Sequence, residues 1–167
     1  FAVPASDIGA VYLNSQSSQA EYFKHLVPDF VERNQYKNAL KEKGYEQDEI
    51  FERMCRFKET YIFIADINQF IESLYEPEEG VTRIAPFIEN IADKGSCHNI
   101  YLIAINDVKE ASVLRGYAAY DYMTNYHTGI QLGGNASETT FFDFSNLSFT
   151  EQNQSHKAGI GMIPVDN

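Results

Sequence analysis

The sequence predicts an α/β fold in which a mostly parallel sheet is covered by helices on both faces. Two observations predict it. The runs Tyr61–Ala65 and Ile100–Ile105 are apolar throughout, as are strands that helices bury on both sides. Segments with the apolar spacing of amphipathic helices lie between and around these runs, so strands and helices alternate along the chain. In such sheets the ligand crevice lies at the carboxyl ends of the strands.

The first part of the chain predicts one strand and three helices. The apolar run Ile8–Leu13 is expected to be a buried strand, and the Asn, Ser and Gln residues after it suit a helix N-cap. A first helix is expected over Ala20–Val27. Pro28 fits the first turn of a second helix, over about residues 28–43, because the N–H that proline lacks is unpaired there anyway. A third helix is expected over Glu46–Lys58.

The remaining elements continue the alternation. After the first apolar strand, the expected elements are helices at Gln69–Leu74 and Val81–Gly95, the strand Ile100–Ile105, a mostly helical segment at Asp107–Tyr120, and short strands at Ile130–Leu132 and Ile160–Val165. No internal repeat or low-complexity linker interrupts the sequence. Residues 1–167 are therefore expected to form a single domain.

Composition and charge narrow the function classes. The chain has 167 residues, of which 44% are hydrophobic, so it can bury a core. It carries 24 acidic against 13 basic residues, a net charge of -11, which argues against direct binding of nucleic acid. No apolar run is long enough to span a membrane, and no leader-like segment opens the sequence. Cys55 and Cys97 form no CxxC motif, which is typical of a reducing, cytosolic setting.

Two polar residues follow the two apolar strands. Asp66 comes after Tyr61–Ala65 and Asn106 after Ile100–Ile105, so both are expected at the ligand edge of the sheet. An apolar strand that ends in Asp has the form of a Walker B strand, whose carboxylate holds Mg²⁺. The alternative is that Asp66 caps the next helix by accepting a hydrogen bond from the backbone of Gln69.

ATP hydrolysis needs more groups than these. Where an ATPase usually carries a second acid to activate water, directly after the Walker B Asp, this chain has Ile67. No phosphate-binding loop of the form GxxxxGKS or GxxxxGKT occurs in the sequence. The chain as given is therefore expected not to hydrolyse ATP, and the sequence assigns no catalytic residue.

Other chemistry is only weakly indicated. Cys97 and His98 are neighbours in sequence, but Cys97 precedes an apolar strand and is expected to be a core residue. The histidines show no zinc-ligand spacing, so no metal site is assigned. The loop with Glu76, Glu78 and Glu79 is expected to be a solvated surface.

Aromatic side chains are dense in the last third of the chain. They are Tyr117, Tyr120, Tyr122, Tyr126, Phe141, Phe142 and Phe144. Most are expected in the core, and an exposed part of this set would indicate a protein partner.

Four runs, taken together, point to a known family. They are YIFIADINQFIESL, GSCHNIYLIAIND, YHTGIQLGGN and KAGIGMIP. The chain resembles the FtsK/SpoIIIE type of RecA-like ATPase over residues 55–165. More narrowly, it is similar to the C-terminal, degenerate ATPase module of EssC/EccC proteins, the membrane-anchored motors of bacterial type VII secretion. On this resemblance Asp66 takes the Walker B position and Asn106 the sensor position. Gly159 and Gly161 form the late turn, in which Ile160 replaces the usual Arg.

The resemblance implies a RecA-like three-layer sandwich that lacks the P-loop part, as one degenerate module of a larger protein. It implies a place at the cytoplasmic face of the bacterial membrane, with the anchoring segments outside this chain. The implied partners are neighbouring ATPase domains or ring subunits and small helical secretion substrates of the WXG type. ATP and Mg²⁺ are implied as cofactors for the intact protein only.

Three functions remain open from the sequence. The first is a non-catalytic module that docks substrates and assembles rings, with at most residual nucleotide binding. The second is part of an active ATPase domain whose P-loop lies upstream of Phe1. The third is a generic α/β protein-interaction domain in which Asp66 is only a helix cap.

Overall fold

The computed structural model describes residue 7 and residues 9–107, 114–139 and 141–164. The chain forms two compact units, Phe1–Ile105 and Asn106–Asn167. Both mix helices with strands, so the α/β class is confirmed. The sheets are small, however, since each of the two sheets in the described residues has two strands.

The first unit begins with two helices, α1 (Gln16–Glu42) and α2 (Gln47–Met54). Ser15 caps α1 by accepting a hydrogen bond from the backbone N–H of Ser18 at 3.3 Å. The prediction of two helices divided at Pro28 is wrong, because Pro28 lies inside α1. Proline removes one backbone hydrogen bond there, and burial of α1 side chains before and after it holds the helix together.

The two helices enclose a small core of their own. Leu40 of α1 packs with Ile50 and Met54 of α2, and partly buried aromatic rings, Tyr36 among them, close the cluster. The guanidinium of Arg56 lies 4.0 Å from the centre of the Tyr36 ring, a cation–π contact. These contacts explain why a short helix such as α2 is stable at this position.

The parallel sheet of the first unit consists of β1 (Thr60–Ile64) and β2 (Ile100–Ala104). The register runs from Thr60 opposite Ile100 to Ile64 opposite Ala104. Helices α3 (Ile67–Tyr75) and α4 (Ala85–Lys94) connect the two strands. Their buried residues recur at helical spacing, with Ile67, Ile71 and Leu74 on α3 and Ala85, Ile88, Ile91 and Ala92 on α4.

Arg33 ties α1 to the start of β2. Its buried guanidinium donates hydrogen bonds to the carbonyl oxygens of His98, at 2.7 Å, and Asn99, at 3.3 Å, and forms an ion pair with Asp29 at 2.7 Å. The fully buried His98 donates from Nδ1 to the carbonyl oxygen of Lys94 at 2.7 Å. Asn99 has φ 60°, a left-handed conformation that asparagine tolerates. This junction fixes the entry into the sheet.

The second unit carries shorter elements. They are α5 (Ala118–Thr124), β3 (Gln131–Gly134), α6 (Phe149–Gln152) and β4 (His156–Met162). Strands β3 and β4 pair antiparallel with an irregular register between Leu132 and Gly134. Buried side chains of this unit include Leu114, Tyr120 and Phe144.

Several expected elements differ from the structure. The strand expected at Ile8–Leu13 is absent from its described residues, 9–13, and Val11 and Tyr12 are exposed. The mostly helical segment expected at Asp107–Tyr120 has its residues 108–113 outside the described part, and α5 begins only at Ala118. The last strand, expected at Ile160–Val165, starts earlier, at His156, and residue 165 is not described.

The strand topology corrects the expected sheet. The strands expected at Ile130–Leu132 and Ile160–Val165 correspond to β3 and β4, which form an antiparallel pair of their own. Parallel pairing is confirmed for β1 and β2. The apolar runs do not distinguish parallel from antiparallel pairing, because the periodicity within a short strand does not determine the direction of the neighbouring strand.

Candidate functional site

Asp66 lies two residues beyond the last residue of the parallel strand β1. It is the N-cap residue of α3, and its Oδ1 accepts a hydrogen bond from the backbone N–H of Gln69 at 3.0 Å. The extended backbone of Asp66, with φ -137° and ψ 100°, is the usual conformation of an N-cap. Of the two roles expected for Asp66, helix capping is therefore the one with a contact in the structure.

Ile67 follows Asp66 as the first residue of α3. Its side chain is buried and contributes to the apolar face of α3 with Ile71 and Leu74. A carboxylate at this position would have to enter an apolar core, which is costly for a charged group. The surroundings of residue 67 thus favour an apolar side chain.

Asn106 follows β2 and is half-buried. Its side-chain Nδ2 donates a hydrogen bond to the hydroxyl oxygen of Tyr120 at 2.9 Å. Its Oδ1 is buried and has no hydrogen-bond partner among the residues that the structure describes. Burial also raises the pKa of Tyr120 above its ordinary value. The side chain of Asn106 is therefore anchored through its amide nitrogen, and its oxygen is buried.

Gly159 and Gly161 lie within strand β4 and not in a turn before a strand. Gly159 has φ 89°, which a side chain would strain. A Cβ atom on Gly161 would approach Cγ2 of Ile130 at 2.8 Å. Both glycines are thus explained by the local shape of the β3–β4 pair.

These residues do not fit a bound MgATP. Asp66 supplies one carboxylate, one oxygen of which holds the Gln69 amide, and its neighbour Ile67 is buried. Among the described residues, no group of three or more His, Cys, Asp or Glu side chains is placed to hold a metal ion.

Cys97 and His98 are neighbours in sequence but differ in burial. Cys97 is exposed, so its prediction as a core residue is wrong, while His98 is fully buried. Both belong to a short 3-10 helix, Ser96–His98, in which successive side chains point to different sides. Burial is the main cause that lowers the pKa of His98 below its ordinary value of 6.5, and the neighbouring cations Lys37 and Arg33 lower it further.

The aromatic residues of the second unit are divided between core and surface, and fewer of them are buried than expected. Tyr120 and Phe144 are buried, while Tyr122 and Tyr126 are exposed. The rings of Tyr120 and Phe141 meet edge to face with centroids 6.2 Å apart. Further exposed apolar side chains lie on the parallel sheet.

One side of the β1–β2 sheet is apolar and exposed. We call it the outer face, and it consists of Tyr61, Phe63, Tyr101, Ile103 and Ile105. Exposure is 51% for Tyr61, 73% for Phe63, 43% for Ile103 and 67% for Ile105. The prediction that both faces of these strands are buried is therefore wrong. The continuous apolar run concealed this face, because a strand with apolar residues at every position does not show which side is covered.

The two tyrosines of the outer face are held in place by polar neighbours. Their rings stack with centroids 5.2 Å apart and planes 21° apart. The hydroxyl of Tyr61 donates to Oε2 of Glu59 at 2.9 Å, and that of Tyr101 donates to Oδ1 of Asn99 at 3.0 Å. The hydrogen bond to Glu59 is the main cause that raises the pKa of Tyr61 above its ordinary value of 10.0. Both rings are thus fixed at the surface.

Comparison with known proteins adds no relative. No family model, curated protein or solved structure matches the chain. Among the described residues, no helix is long and apolar enough to cross a membrane. The outer face, Asp66 and Asn106 are therefore interpreted from their own geometry.

Proposed function

We propose that the chain is a non-catalytic, RecA-like module of a bacterial type VII secretion motor, and that it works by binding proteins. Its partners would be small helical substrates of the WXG type and neighbouring subunits of a ring. The observation that carries the binding role is the exposed outer face, with Phe63 and Ile105 more than half exposed on a parallel sheet. Parallel sheets are almost always covered on both faces, so such a surface favours a protein partner.

The order of the elements supports the kinship to RecA-like motors. β1 is followed by Asp66 and α3, and β2 pairs with β1 in parallel before Asn106. This is the order that the resemblance implies for a Walker B strand and a sensor strand. The cytoplasmic face of the membrane, the ring and the three-layer sandwich remain parts of the same proposal.

Nucleotide binding is at most a residual activity in this proposal. The carboxylate of Asp66 is engaged by Gln69, and Ile67 provides no group to orient water. An active ATPase domain with its P-loop upstream is the second candidate, and the position of Asp66 beyond β1 is the observation that favours it. A generic interaction domain would share the outer face without the secretion partners.

Calorimetric titration separates these candidates. We expect heat when a WXG-type substrate protein is titrated into the chain and none when MgATP is titrated. If MgATP binds and Asp66→Asn abolishes this binding, the result would favour the second candidate, an active ATPase domain. Binding of neither substrate protein nor MgATP would contradict the secretion role and leave the generic interaction domain.

A further inference from the structure

A charged group, the carboxylate of Glu59, lies at the tyrosine end of the outer face. Side chains of β1 alternate between the two sides of the sheet, so Glu59 extends the row of Tyr61 and Phe63. The hydrogen bond from the Tyr61 hydroxyl to Glu59 places the carboxylate beside the stacked rings. At the other end of the face lie Phe63, Ile103 and Ile105, which are all apolar and exposed. The face thus has a carboxylate and two stacked aromatic rings at one end, and three exposed apolar side chains towards the other.

The side chains of Tyr61 and Tyr101, at the aromatic end of the outer face, are already held in place in the unbound chain. Hydrogen bonds to Glu59 and Asn99 hold the hydroxyls of Tyr61 and Tyr101, and the rings restrain each other by stacking. A side chain that is already immobile loses less conformational entropy on binding. Tyrosine faces beside a carboxylate attract the cationic group of an Arg or Lys side chain.

The dimensions of the face suit one helix. Five residues of strand extend about 17 Å, which is the length of about 11 residues of α-helix. Two neighbouring strands offer about the width over which a single helix packs on a sheet. A helix along the strands would therefore cover the whole outer face.

We propose that the outer face binds one amphipathic helix of a partner protein, with an Arg or Lys at the end that lies over Tyr61 and beside Glu59. The apolar stripe of this helix packs on Phe63, Ile103 and Ile105. The inference rests on the proposed function and specifies the element of the helical partner that is recognised.

Charge favours such a partner over a second copy of this chain. Each copy has a net charge of -11, so two copies repel each other as they approach. A helix with a basic end is attracted to the same surface. A single helix also supplies the cover that a parallel sheet ordinarily has.

A labelled synthetic helix of about 14 residues tests the proposal by fluorescence anisotropy with the full chain. The peptide carries leucines at helical spacing and one terminal arginine, and a twin peptide has glutamine in its place. We expect Phe63→Ser and Ile105→Ser each to weaken binding of the arginine peptide about tenfold. The matched control Phe51→Ser removes an exposed ring of α2 and is expected to leave binding unchanged.

The charged end is tested by a second pair of variants. Glu59→Gln is expected to lower the affinity for the arginine peptide about threefold and to leave the affinity for the glutamine peptide unchanged. Glu52→Gln, on the exposed side of α2, is the charge control. If Glu59→Gln lowers the affinity for both peptides equally, the proposal that Glu59 binds a basic residue of the helix is wrong.

Further outcomes would overturn the whole inference. The first is that neither peptide binds. The second is that Phe63→Ser and Ile105→Ser leave the affinity unchanged. The third is that the free chain forms a dimer that Phe63→Ser converts to monomers. A WXG-type protein that binds the wild type and Phe63→Ser equally would overturn this face and leave the proposed function standing. Peptide binding as expected, together with no binding of the WXG-type protein, would contradict the proposed function alone.

Discussion

The carboxylate of Asp66 accepts a hydrogen bond from the backbone N–H of Gln69 at 3.0 Å, which makes Asp66 the cap of helix α3. The contact gives a strand-end aspartate a structural role of its own. It also links the carboxyl end of β1 to the first turn of the helix that buries Ile67 and Ile71. Helix capping is therefore sufficient to explain an aspartate after this strand.

The cap predicts the effect of two substitutions at Asp66. Asp66→Ala is expected to lower the free energy of unfolding by about 1 kcal/mol, because the N–H of Gln69 loses its acceptor. Asp66→Asn is expected to cost only a few tenths of a kcal/mol, about the difference between two good caps. Urea unfolding measures both. An Asn variant as unstable as the Ala variant would show that the charge, and not the cap, stabilises the fold.

Removal of the buried guanidinium of Arg33 is expected to be severe. Arg33→Met keeps an unbranched apolar stem but removes the guanidinium, so the carbonyl oxygen of His98 loses this donor and Asp29 loses its ion pair. The free energy of unfolding is expected to fall by about 3 kcal/mol. Lys24→Met, at an exposed position of the same helix, is the control and is expected to change it by less than about 0.5 kcal/mol. Similar losses in both variants would contradict the junction role of Arg33.

The free energy of unfolding is expected to decrease as the pH is lowered, and His98 is the cause. Burial holds its folded-state pKa below the ordinary 6.5, so as the pH falls through 6.5 the unfolded chain takes up a proton that the folded chain does not. The loss begins near pH 6.5 and stops once the pH passes below the folded-state pKa. Its slope is at most about 1.4 kcal/mol per pH unit.

The variants His98→Gln and His25→Gln isolate this effect. Between about pH 7.5 and 5.5, the free energy of unfolding of His98→Gln is expected to depend less on pH than that of the wild type. The exposed His25 serves as the control, and His25→Gln is expected to keep the wild-type slope. A wild-type slope in His98→Gln would show that other groups cause the pH dependence.

Gly95 is expected to tolerate no side chain. A Cβ atom there would collide with the carbonyl oxygen of Ile91 and lie 2.6 Å from that of Ile100. Backbone at the end of α4 and the start of β2 would have to move, so Gly95→Ala is expected to cost at least about 2 kcal/mol. Thermal or urea unfolding measures this loss, with the exposed neighbour Ser96→Ala as a near-neutral control. A stable Gly95→Ala variant would contradict the packing of this junction.

The sequence predicts the parallel pair and its connecting helices well. The expected strands Tyr61–Ala65 and Ile100–Ile105 differ from β1 and β2 by one residue at their ends. These elements combine apolar runs with strong helical periodicity, so local signals agree with tertiary packing. Capping by Asp66 is one of the two roles that the sequence predicts for this residue, because an Asp directly before the apolar stripe of a helix is a common cap.

Other features depend on contacts that a single sequence does not contain. The burial of His98 instead of Cys97 follows from the geometry of a three-residue 3-10 helix beside Arg33. The continuity of α1 through Pro28 depends on packing over its whole length. The exposure of Phe63 could not be predicted, because its neighbours in the sequence are also apolar and the pattern does not show which face of the strand is covered. Each of these needs the tertiary structure to be seen.

The affinity of a WXG-type substrate protein for the wild type and for Phe63→Ser, measured by calorimetry, tests the central claim most directly. We predict binding to the wild type that is about tenfold weaker in Phe63→Ser, because the variant removes the most exposed ring of the outer face. Phe51→Ser is the control and should bind like the wild type. Absence of binding to the wild type, with the chain folded by circular dichroism, would contradict the account.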